Sequence, residues 1–263
     1  MTDLLLREDH GPVARLTMNA PASLNALSDD MLAALKDAFG ALLTDARIRV
    51  VILAGAGRAF CAGHDLRQMQ AARQSPDNGA AFFADLFARC AHVMQMIPAL
   101  PQPVIAEVQG IATAAGCQLA ASCDMVVASE TARFGVNGVN IGLFCSTPMV
   151  ALTRAIPPRA AFEMLVTGTF ISAARARVLG LVNRVTAPET LSAETQTLAD
   201  TIATKLTAVV RIGKRAFHAQ APLPVAEAYR LTGDVMVANM LMRDTEEGIA
   251  AFLDKRAPDW PTT

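Results

Sequence analysis

Short apolar segments that end in small or glycine-rich turns alternate with helical segments through about residue 185, and this order most limits the fold. Helical patterns follow Ser28, cover 79–97 up to Pro98, and cover 115–122. Between them lie apolar segments with the length of buried strands: "RVVILAGAG" (49–57), "PVIAEVQG" (103–110) and "DMVVAS" (124–129). The alternation predicts an α/β core.

The last third of the sequence changes character. Residues 189–256 have a helical pattern that is interrupted only by "APLP" (221–224). The final segment "APDWPTT" (257–263) is predicted to be a tail. We therefore expect a core over residues 1–188 and a separate helical segment over residues 189–263.

Composition excludes several classes of partner. The formal net charge is −1 for 263 residues, which gives no bulk electrostatic attraction to nucleic acid. No apolar run reaches the roughly 18 residues of a membrane span. The odd set of five cysteines without a CxxC pair favours a reducing compartment. With no leader-like pattern at the start, these features predict a cytoplasmic protein that binds neither membranes nor nucleic acid.

Common cofactor and metal motifs are missing. "GAGRAF" follows a strand pattern but lacks the third glycine of a dinucleotide turn. No Walker or GxSxG pattern is present, and the four histidines have no metal-ligand spacing. His92 lies on an amphipathic helix pattern, which is typical of a packed or surface histidine. We expect no resident cofactor and no metal.

Two glycine turns carry the candidate chemistry. "CAGHDL" (61–66) follows a strand pattern, and "ATAAGCQL" (112–119) follows another and opens a helix. Small residues leave backbone N–H groups unhindered, and a helix start adds positive potential. Two such groups converging on one point would stabilise a developing oxyanion. The alternative is that both segments are simply tight turns.

Five segments in order carry a family resemblance: "RLTMNAPASLNALS", "VVILAGAGRAFCAGHDLRQM", "PVIAEVQGIATAAGCQLAASCDMVVASETARFG", "TGTFISAARARVLGLVNRV" and "EEGIAAFLDKRAP". The sequence resembles the crotonase superfamily, the enoyl-CoA hydratase/isomerase family. The segments "GHDL", "ATAAGCQL", "ASCD" and "GLFCSTP" are most similar to its enoyl-CoA hydratase domain-containing protein 3 branch. The resemblance implies a crotonase-like spiral of ββα repeats, a helical C-terminal trimerisation segment, and an acyl-CoA thioester as ligand.

The resemblance also assigns roles to residues. The oxyanion donors fall on the backbone N–H groups of His64 and Ala115. The coenzyme A channel falls on the segment His64, Asp65, Leu66 and Arg67, with Asp65 also fitting a turn-fixing role. Phe252 and Lys255 match positions that reach a neighbour's coenzyme A, although Lys255 equally fits a solvated helix-end charge. Coenzyme A would enter only as part of the substrate.

Both glutamates that hydratases of this family use to activate water are replaced. Gln118 stands at the first position, three residues after Ala115, and Gly138 at the second. A carboxamide has no pKa that allows proton transfer near neutral pH, but it can orient a polar group. Cys61, Cys117, Cys145 and Asn137 are candidate replacement bases by sequence proximity alone. Asn140 could shape the acyl pocket or simply occupy a turn.

The expected function is that of an acyl-CoA-binding enzyme of the enoyl-CoA hydratase/isomerase type, a lyase or isomerase of fatty-acid metabolism. Ordinary hydratase activity is expected to be weak or absent. The main alternative is a non-catalytic acyl-CoA binder that modulates lipid metabolism. A third possibility is thioester hydrolysis by a water held at Gln118, for which no base is identified. A homotrimer or a dimer of trimers is the expected assembly.

Overall fold

The structure is a computed structural model that describes residues 3–260. The chain divides into two compact units, Met1–Ile202 and Ala203–Thr263. The first unit contains all the strands and the helices up to residue 179, and the helix Leu191–Ala203 ends at its boundary. The second unit contains the helices that follow residue 206.

The larger of two sheets has six strands in the order β1-β2-β3-β5-β7-β10. The β1–β2 pair is antiparallel and all other neighbours are parallel. The central strands β3 and β5 are apolar and almost fully buried, as expected for parallel strands covered on both faces. The six strands are β1 (Leu5–His10), β2 (Val13–Met18), β3 (Val50–Gly55), β5 (Val104–Val108), β7 (Met125–Ser129) and β10 (Arg184–Thr186).

A second sheet of four very short strands has the order β4-β6-β8-β9. Its strands are β4 (Ala59–Cys61), β6 (Ile111–Thr113), β8 (Arg133–Gly135) and β9 (Ile171–Ser172). Strands β3, β5 and β7 each lead through a short turn to β4, β6 and β8, and helices follow. This recurring strand–strand–helix order confirms the predicted spiral of ββα repeats.

The helices of the first unit cover its sheets. They are α1 (Asp29–Thr44), α2 (Leu66–Ala72), α3 (Ala80–Ala99), α4 (Ala115–Ser122), α5 (Pro148–Ala155), α6 (Pro158–Thr167), α7 (Ala173–Leu179) and α8 (Leu191–Ala203). Ser28 caps α1 as predicted, because its hydroxyl accepts a hydrogen bond from the Met31 N–H at 3.2 Å. The face of α1 that includes Leu35 and Phe39 is fully buried.

Two local predictions differ from the structure. Helix α3 does not end before Pro98 but continues to Ala99, since a proline near the C-terminus removes only one intrahelical bond. The Leu100 N–H then closes the last turn on the Met96 carbonyl at 2.9 Å. Strand β1 was not predicted, because its exposed, charged sequence "LLREDH" belongs to an edge strand.

The second unit consists of α9 (Thr207–Gln220), α10 (Val225–Met240) and α11 (Arg243–Leu253). Residues 257–260 of the predicted tail have no regular structure, and 261–263 lie outside the described residues. The tail is nevertheless attached to α11, where Glu247 binds the Arg256 guanidinium and the Asp259 N–H, each at 2.6 Å. Over residues 3–260, none of the helices combines the length and apolar content needed to cross a membrane.

Candidate active site

The segment after β4 carries the first predicted donor. The Ala62 N–H donates to the Leu24 carbonyl at 3.0 Å, and the Gly63 carbonyl accepts from the Leu27 N–H at 2.8 Å. Gly63 has a φ of +89°, a conformation that favours glycine. These contacts fix the backbone that presents the His64 amide.

Helix α4 begins at Ala115, which carries the second predicted donor. The residue before it, Ala114, has φ +49° and ψ −120°. A non-glycine residue in such a sparsely populated conformation costs on the order of 1–3 kcal/mol and is enriched at functional sites. The chain therefore enters α4 through a strained residue, and the first helical N–H groups are left available for other acceptors.

The two turns are in direct contact. A Cβ built on Gly63 would lie 3.2 Å from the Ala115 amide nitrogen. Adding the intervening covalent bond lengths places the amide nitrogens of His64 and Ala115 at most about 8 Å apart. A side chain on Gly116 would overlap the Cys61 carbonyl, so glycine is required for this close approach.

Both amides are free to bind a ligand. Within residues 3–260, neither the His64 N–H nor the Ala115 N–H donates a hydrogen bond to another protein group. Backbone donors that are left without protein acceptors need another partner. The structure thus brings together the two donors that the sequence singled out. Their role as an oxyanion hole stays a prediction.

The His64 side chain is not placed as an acid or base. Its ring packs edge-on against Phe87 with a centroid distance of 5.6 Å. Both ring nitrogens are buried, and neither makes a hydrogen bond within the described chain. Burial lowers the pKa of His64, the Leu27 backbone partly opposes this effect, and the charge of Arg89 lowers the pKa further. The imidazole is therefore neutral near pH 7.

The neighbouring residues of the predicted coenzyme A channel begin α2. Asp65 caps this helix, because its carboxylate accepts from the backbone N–H groups of Arg67 at 2.8 Å and Gln68 at 3.3 Å. The turn-fixing role considered for Asp65 is confirmed. Leu66 and Arg67 are exposed. Their contact with coenzyme A stays a prediction.

Phe252 and Lys255 lie in the second unit. Phe252, on α11, is 83% exposed, and Lys255 follows that helix with a φ of +55°. Their predicted contact with a neighbour's ligand is untested.

Gln118 is buried, with 5% of its surface exposed, and lies one turn after Ala115 in α4. Helical side chains lean toward the N-terminus, which directs this amide toward the Ala115 end of the helix. Its Oε1 has no hydrogen-bond partner among residues 3–260. A buried acceptor without a partner is costly, so this oxygen is available for a donor on a ligand or a water.

Gly138 is buried, and its surroundings leave no room for a side chain. A Cβ at this position would lie 2.5 Å from the Leu143 carbonyl oxygen and 2.9 Å from the Cys145 thiol. The family resemblance predicts that Gly138 replaces a carboxylate, and the sequence gives no sign that this position is enclosed. The Leu143–Cys145 segment occupies the space where a side chain at Gly138 would begin.

The candidate replacement bases are unsuitable. Burial raises the pKa of the Cys61 and Cys117 thiols to about 12, and it also raises the pKa of Cys145. These thiols are neutral near pH 7. The Asn137 amide oxygen accepts from the Thr113 hydroxyl at 2.5 Å, and amides do not titrate near neutral pH. Asn140 contacts Gly168, which fits its interpretation as a turn residue.

The described side chains were compared with the arrangements that hold metal ions. Among residues 3–260, no cluster of three or more His, Cys, Asp or Glu side chains is arranged to hold a metal ion. The chemistry available at this site is hydrogen bonding by two amides and one carboxamide.

Two sheets built from ββα repeats, with a strained helix start beside a glycine turn, define a crotonase-fold protein. The chain belongs to the enoyl-CoA hydratase/isomerase family, whose sequence model matches residues 8–263. Among solved structures, an enoyl-CoA hydratase from Mycobacterium smegmatis is 51% identical with a TM-score of 0.94, covering 99% of this chain and 100% of that one.

The relatives also confirm the branch. Enoyl-CoA hydratase domain-containing protein 3, mitochondrial, from Xenopus laevis is 44% identical over 97% of this chain and 85% of its own length. The human protein of that name has a solved structure with 42% identity and a TM-score of 0.90, covering 98% of this chain and 100% of that one.

The same names contradict the cytoplasmic location expected from the sequence. The relatives from Xenopus laevis and Homo sapiens are both described as mitochondrial. The prediction was wrong because its physical basis was too general. Cysteines without a pairing pattern indicate a reducing environment, and this does not single out one compartment.

Proposed function

We propose that this protein binds an acyl-CoA thioester and stabilises negative charge on the thioester oxygen with the His64 and Ala115 N–H groups. The proposal rests on two backbone N–H groups, those of His64 and Ala115, that lie on neighbouring turns and donate no hydrogen bond within the described residues. Membership in the enoyl-CoA hydratase/isomerase family supports the choice of ligand.

Two hydrogen bonds to the carbonyl oxygen would favour an enolate over the neutral thioester. Removing one donor from such a pair typically lowers the rate about 10²- to 10³-fold. The donors are fixed by the fold before a ligand arrives, because Gly63 and Ala114 hold their backbone conformations in the protein alone. Such preorganisation is what makes the stabilisation effective.

Proton transfer is the step that this site lacks. Gln118 and Gly138 stand where the family resemblance places two carboxylates, and general acid–base catalysis typically contributes about 10²- to 10⁴-fold. We therefore infer a lyase or isomerase of fatty-acid metabolism whose ordinary hydration of 2-enoyl-CoA is slow or absent. Gln118 would orient a water or a polar group of the acyl chain.

A second function is favoured by the neutral side chains around the site. Burial raises the pKa of Cys117 and Cys145 and lowers that of His64, so none of the three supplies a strong base near pH 7. The same two amides would still hold a thioester carbonyl without turnover. A non-catalytic acyl-CoA binder that modulates lipid metabolism is the alternative function.

The remaining parts of the ligand have proposed contacts. The nucleotide and pantetheine would pass along the His64–Arg67 segment at the start of α2. Phe252 and Lys255 would contact the coenzyme A of a neighbouring subunit in a homotrimer or a dimer of trimers. Exposed Leu66 and Phe252 support this arrangement, because both are available for contacts.

The experiment targets one donor without changing a side-chain function. Replacing the Ala115 amide by an ester, with lactic acid incorporated at this position, removes the N–H and keeps the methyl side chain. Proline is unsuitable here, because the residue before a proline avoids the backbone conformation of Ala114. We expect affinity for a non-hydrolysable thioester analogue to fall at least about 10-fold in calorimetry, while affinity for free coenzyme A changes little. Ala115→Ser keeps the N–H and is the matched control. Equal affinity of both variants for the analogue would refute the proposed donor.

Turnover separates the two candidate functions. Loss of the conjugated absorbance of a short 2-enoyl-CoA would be followed beside an established hydratase. Tight binding with hydration at the uncatalysed rate favours the binder. Measurable hydration that is lost in the Ala115 ester variant favours the enzyme.

A further inference from the structure

Asn25 is a fully buried polar residue in an unusual backbone conformation. It has a φ of +53° and follows Leu24, which has a φ of +55°. Asparagine tolerates the left-handed region better than most residues, whereas leucine rarely adopts it. Two successive residues in this region produce a sharp turn in the segment that precedes α1.

The Asn25 side chain joins this turn to a second one. Its Oδ1 accepts from the Ala20 N–H at 2.9 Å, within its own turn. Its Nδ2 donates to the Ala56 carbonyl at 2.9 Å and to the Ala59 carbonyl at 2.8 Å. The amide therefore connects the residue 20–25 turn to the start of β4.

Backbone bonds beside Asn25 extend the connection to the first donor. The Leu24 carbonyl accepts from Ala62, and the Leu27 N–H donates to Gly63, the residue directly before His64. Residues on both sides of Asn25 thus hold the end of β4 and the loop after it. The position of the His64 amide depends on the same turn that the Asn25 side chain holds in place.

The Gln109 side chain also binds the start of β4 and the turn before it. Its Nε2 lies 2.6 Å from the Gly55 carbonyl, 3.1 Å from that of Gly57 and 2.9 Å from that of Ala59. The Ala59 carbonyl therefore receives two side-chain amides, one from Asn25 and one from Gln109. The Asn25 amide is closely packed against β3, because a Cβ on Gly55 would lie 2.9 Å from the Asn25 Nδ2.

We propose that Asn25 is a positioning residue for the thioester site, with Gln109 as its partner at Ala59. This inference rests on the proposed function, since it assumes that the His64 N–H binds the thioester oxygen. Asn25 acts through the backbone of Ala59 to His64. Small displacements of a reacting or binding group are felt strongly at such sites.

The test reads the polarisation of the bound carbonyl directly. A ¹³C-labelled thioester analogue would be bound to the wild type and to Asn25→Ala, and the carbonyl stretch measured by infrared spectroscopy. We expect the shift to lower frequency seen in the wild type to shrink in the variant, and thioester affinity to fall about 10-fold or more. Affinity for coenzyme A alone, which lacks the carbonyl, should change little. Asn19→Ala, which loses only an exposed bond to the Asp3 carbonyl, should keep the full shift.

Gln109→Met keeps the test decisive if Asn25→Ala does not fold. It removes the second amide from the Ala59 carbonyl while nearly conserving volume, and a smaller carbonyl shift is again expected. A folded Asn25→Ala or Gln109→Met protein with the full wild-type shift would overturn the inference. A wild-type protein without any shift would instead overturn the proposed function.

Discussion

Gly138 is packed so closely that a carboxylate cannot be added there by a point substitution. The Leu143 carbonyl and the Cys145 thiol fill the space beside its Cα, and a backbone oxygen cannot rotate away as a side chain can. We predict that Gly138→Glu, alone or with Gln118→Glu, gains no hydration of 2-enoyl-CoA. The variant should lose about 1–3 kcal/mol of unfolding free energy or more, as overpacked sites do.

The measurement combines enone absorbance with urea denaturation. Gly40→Ala is the control, since nothing lies within 4 Å of a Cβ at that helical position and alanine should stabilise α1 by about 1 kcal/mol. A stable Gly138→Glu protein that hydrates 2-enoyl-CoA faster than the wild type would contradict the prediction, because the Leu143–Cys145 segment would then have moved to admit the side chain.

The cysteine thiols should differ sharply in reactivity. The pKa values of Cys61, Cys90 and Cys117 are raised to about 12 by burial, so the reactive thiolate is scarce until the pH approaches that value. Cys123 is half-buried and is more accessible. With a thiol reagent at pH 8, we expect Cys123 to be modified first and the other three only at the rate of unfolding. Peptide mapping by mass spectrometry identifies the modified residue, and rapid labelling of Cys117 would contradict the prediction.

The sequence locates single residues well when a short motif carries them. Gln118 and Gly138 were predicted as departures from a family pattern, and the structure shows that both are buried. The closed space at Gly138 and the bonds from Asn25 to Ala56 and Ala59 could not be predicted. They depend on contacts between segments that no local pattern connects.

The helices and strands that could be predicted are those whose sequence signals lie within the element itself. Helix α1 has a capping serine and apolar residues at helical spacing, and both signals lie within its own sequence. Strands β4, β6 and β8 have three residues each, which is too short for a period to appear. They form because the neighbouring strands of the second sheet supply their hydrogen bonds, and this information is not local.

Glu247 on α11 makes a pH-dependent contact with the residues that follow the helix, and the nearby Trp260 can report on it by fluorescence. The Arg256 guanidinium and the Asp259 N–H lower the pKa of Glu247 to about 2 from an ordinary 4.5. A depressed pKa means that the contact is fully formed above pH 4.5 and weakens as the pH falls toward 2. Trp260, the only tryptophan in the sequence, lies against Gly248.

We therefore predict that Glu247→Gln releases the residues after Arg256 at neutral pH. Trp260 emission should shift to longer wavelength as the ring becomes solvated, and the wild type should show the same change only on acidification below about pH 4. Glu246→Gln alters an exposed neighbour and should leave the spectrum unchanged. An unshifted Glu247→Gln spectrum would mean that packing alone holds the ring.

At the scale of the whole molecule, the second unit leaves several large apolar side chains exposed. Helix α10 exposes Tyr229, Met236, Val237 and Met240, and Leu241, directly after the helix, is 82% exposed. Positions 229, 236 and 240 recur at helical spacing and form a stripe on one side of α10. Contiguous apolar surface of this kind marks an interface more often than a free surface.

The proposed homotrimer makes this stripe a testable contact. We predict that the wild type sediments as three or six chains at micromolar concentration, and that Met236→Glu shifts it toward single chains, because a buried unpaired carboxylate is costly at an interface. Met236 is 59% exposed in the chain alone, so the substitution should leave the helix folded by circular dichroism. Asp234→Ala, at an exposed position on the other side of α10, is the matched control and should not change the mass. A wild type that sediments as one chain would remove the neighbouring subunit to which Phe252 and Lys255 were assigned, and the ligand contacts would then have to come from within a single chain.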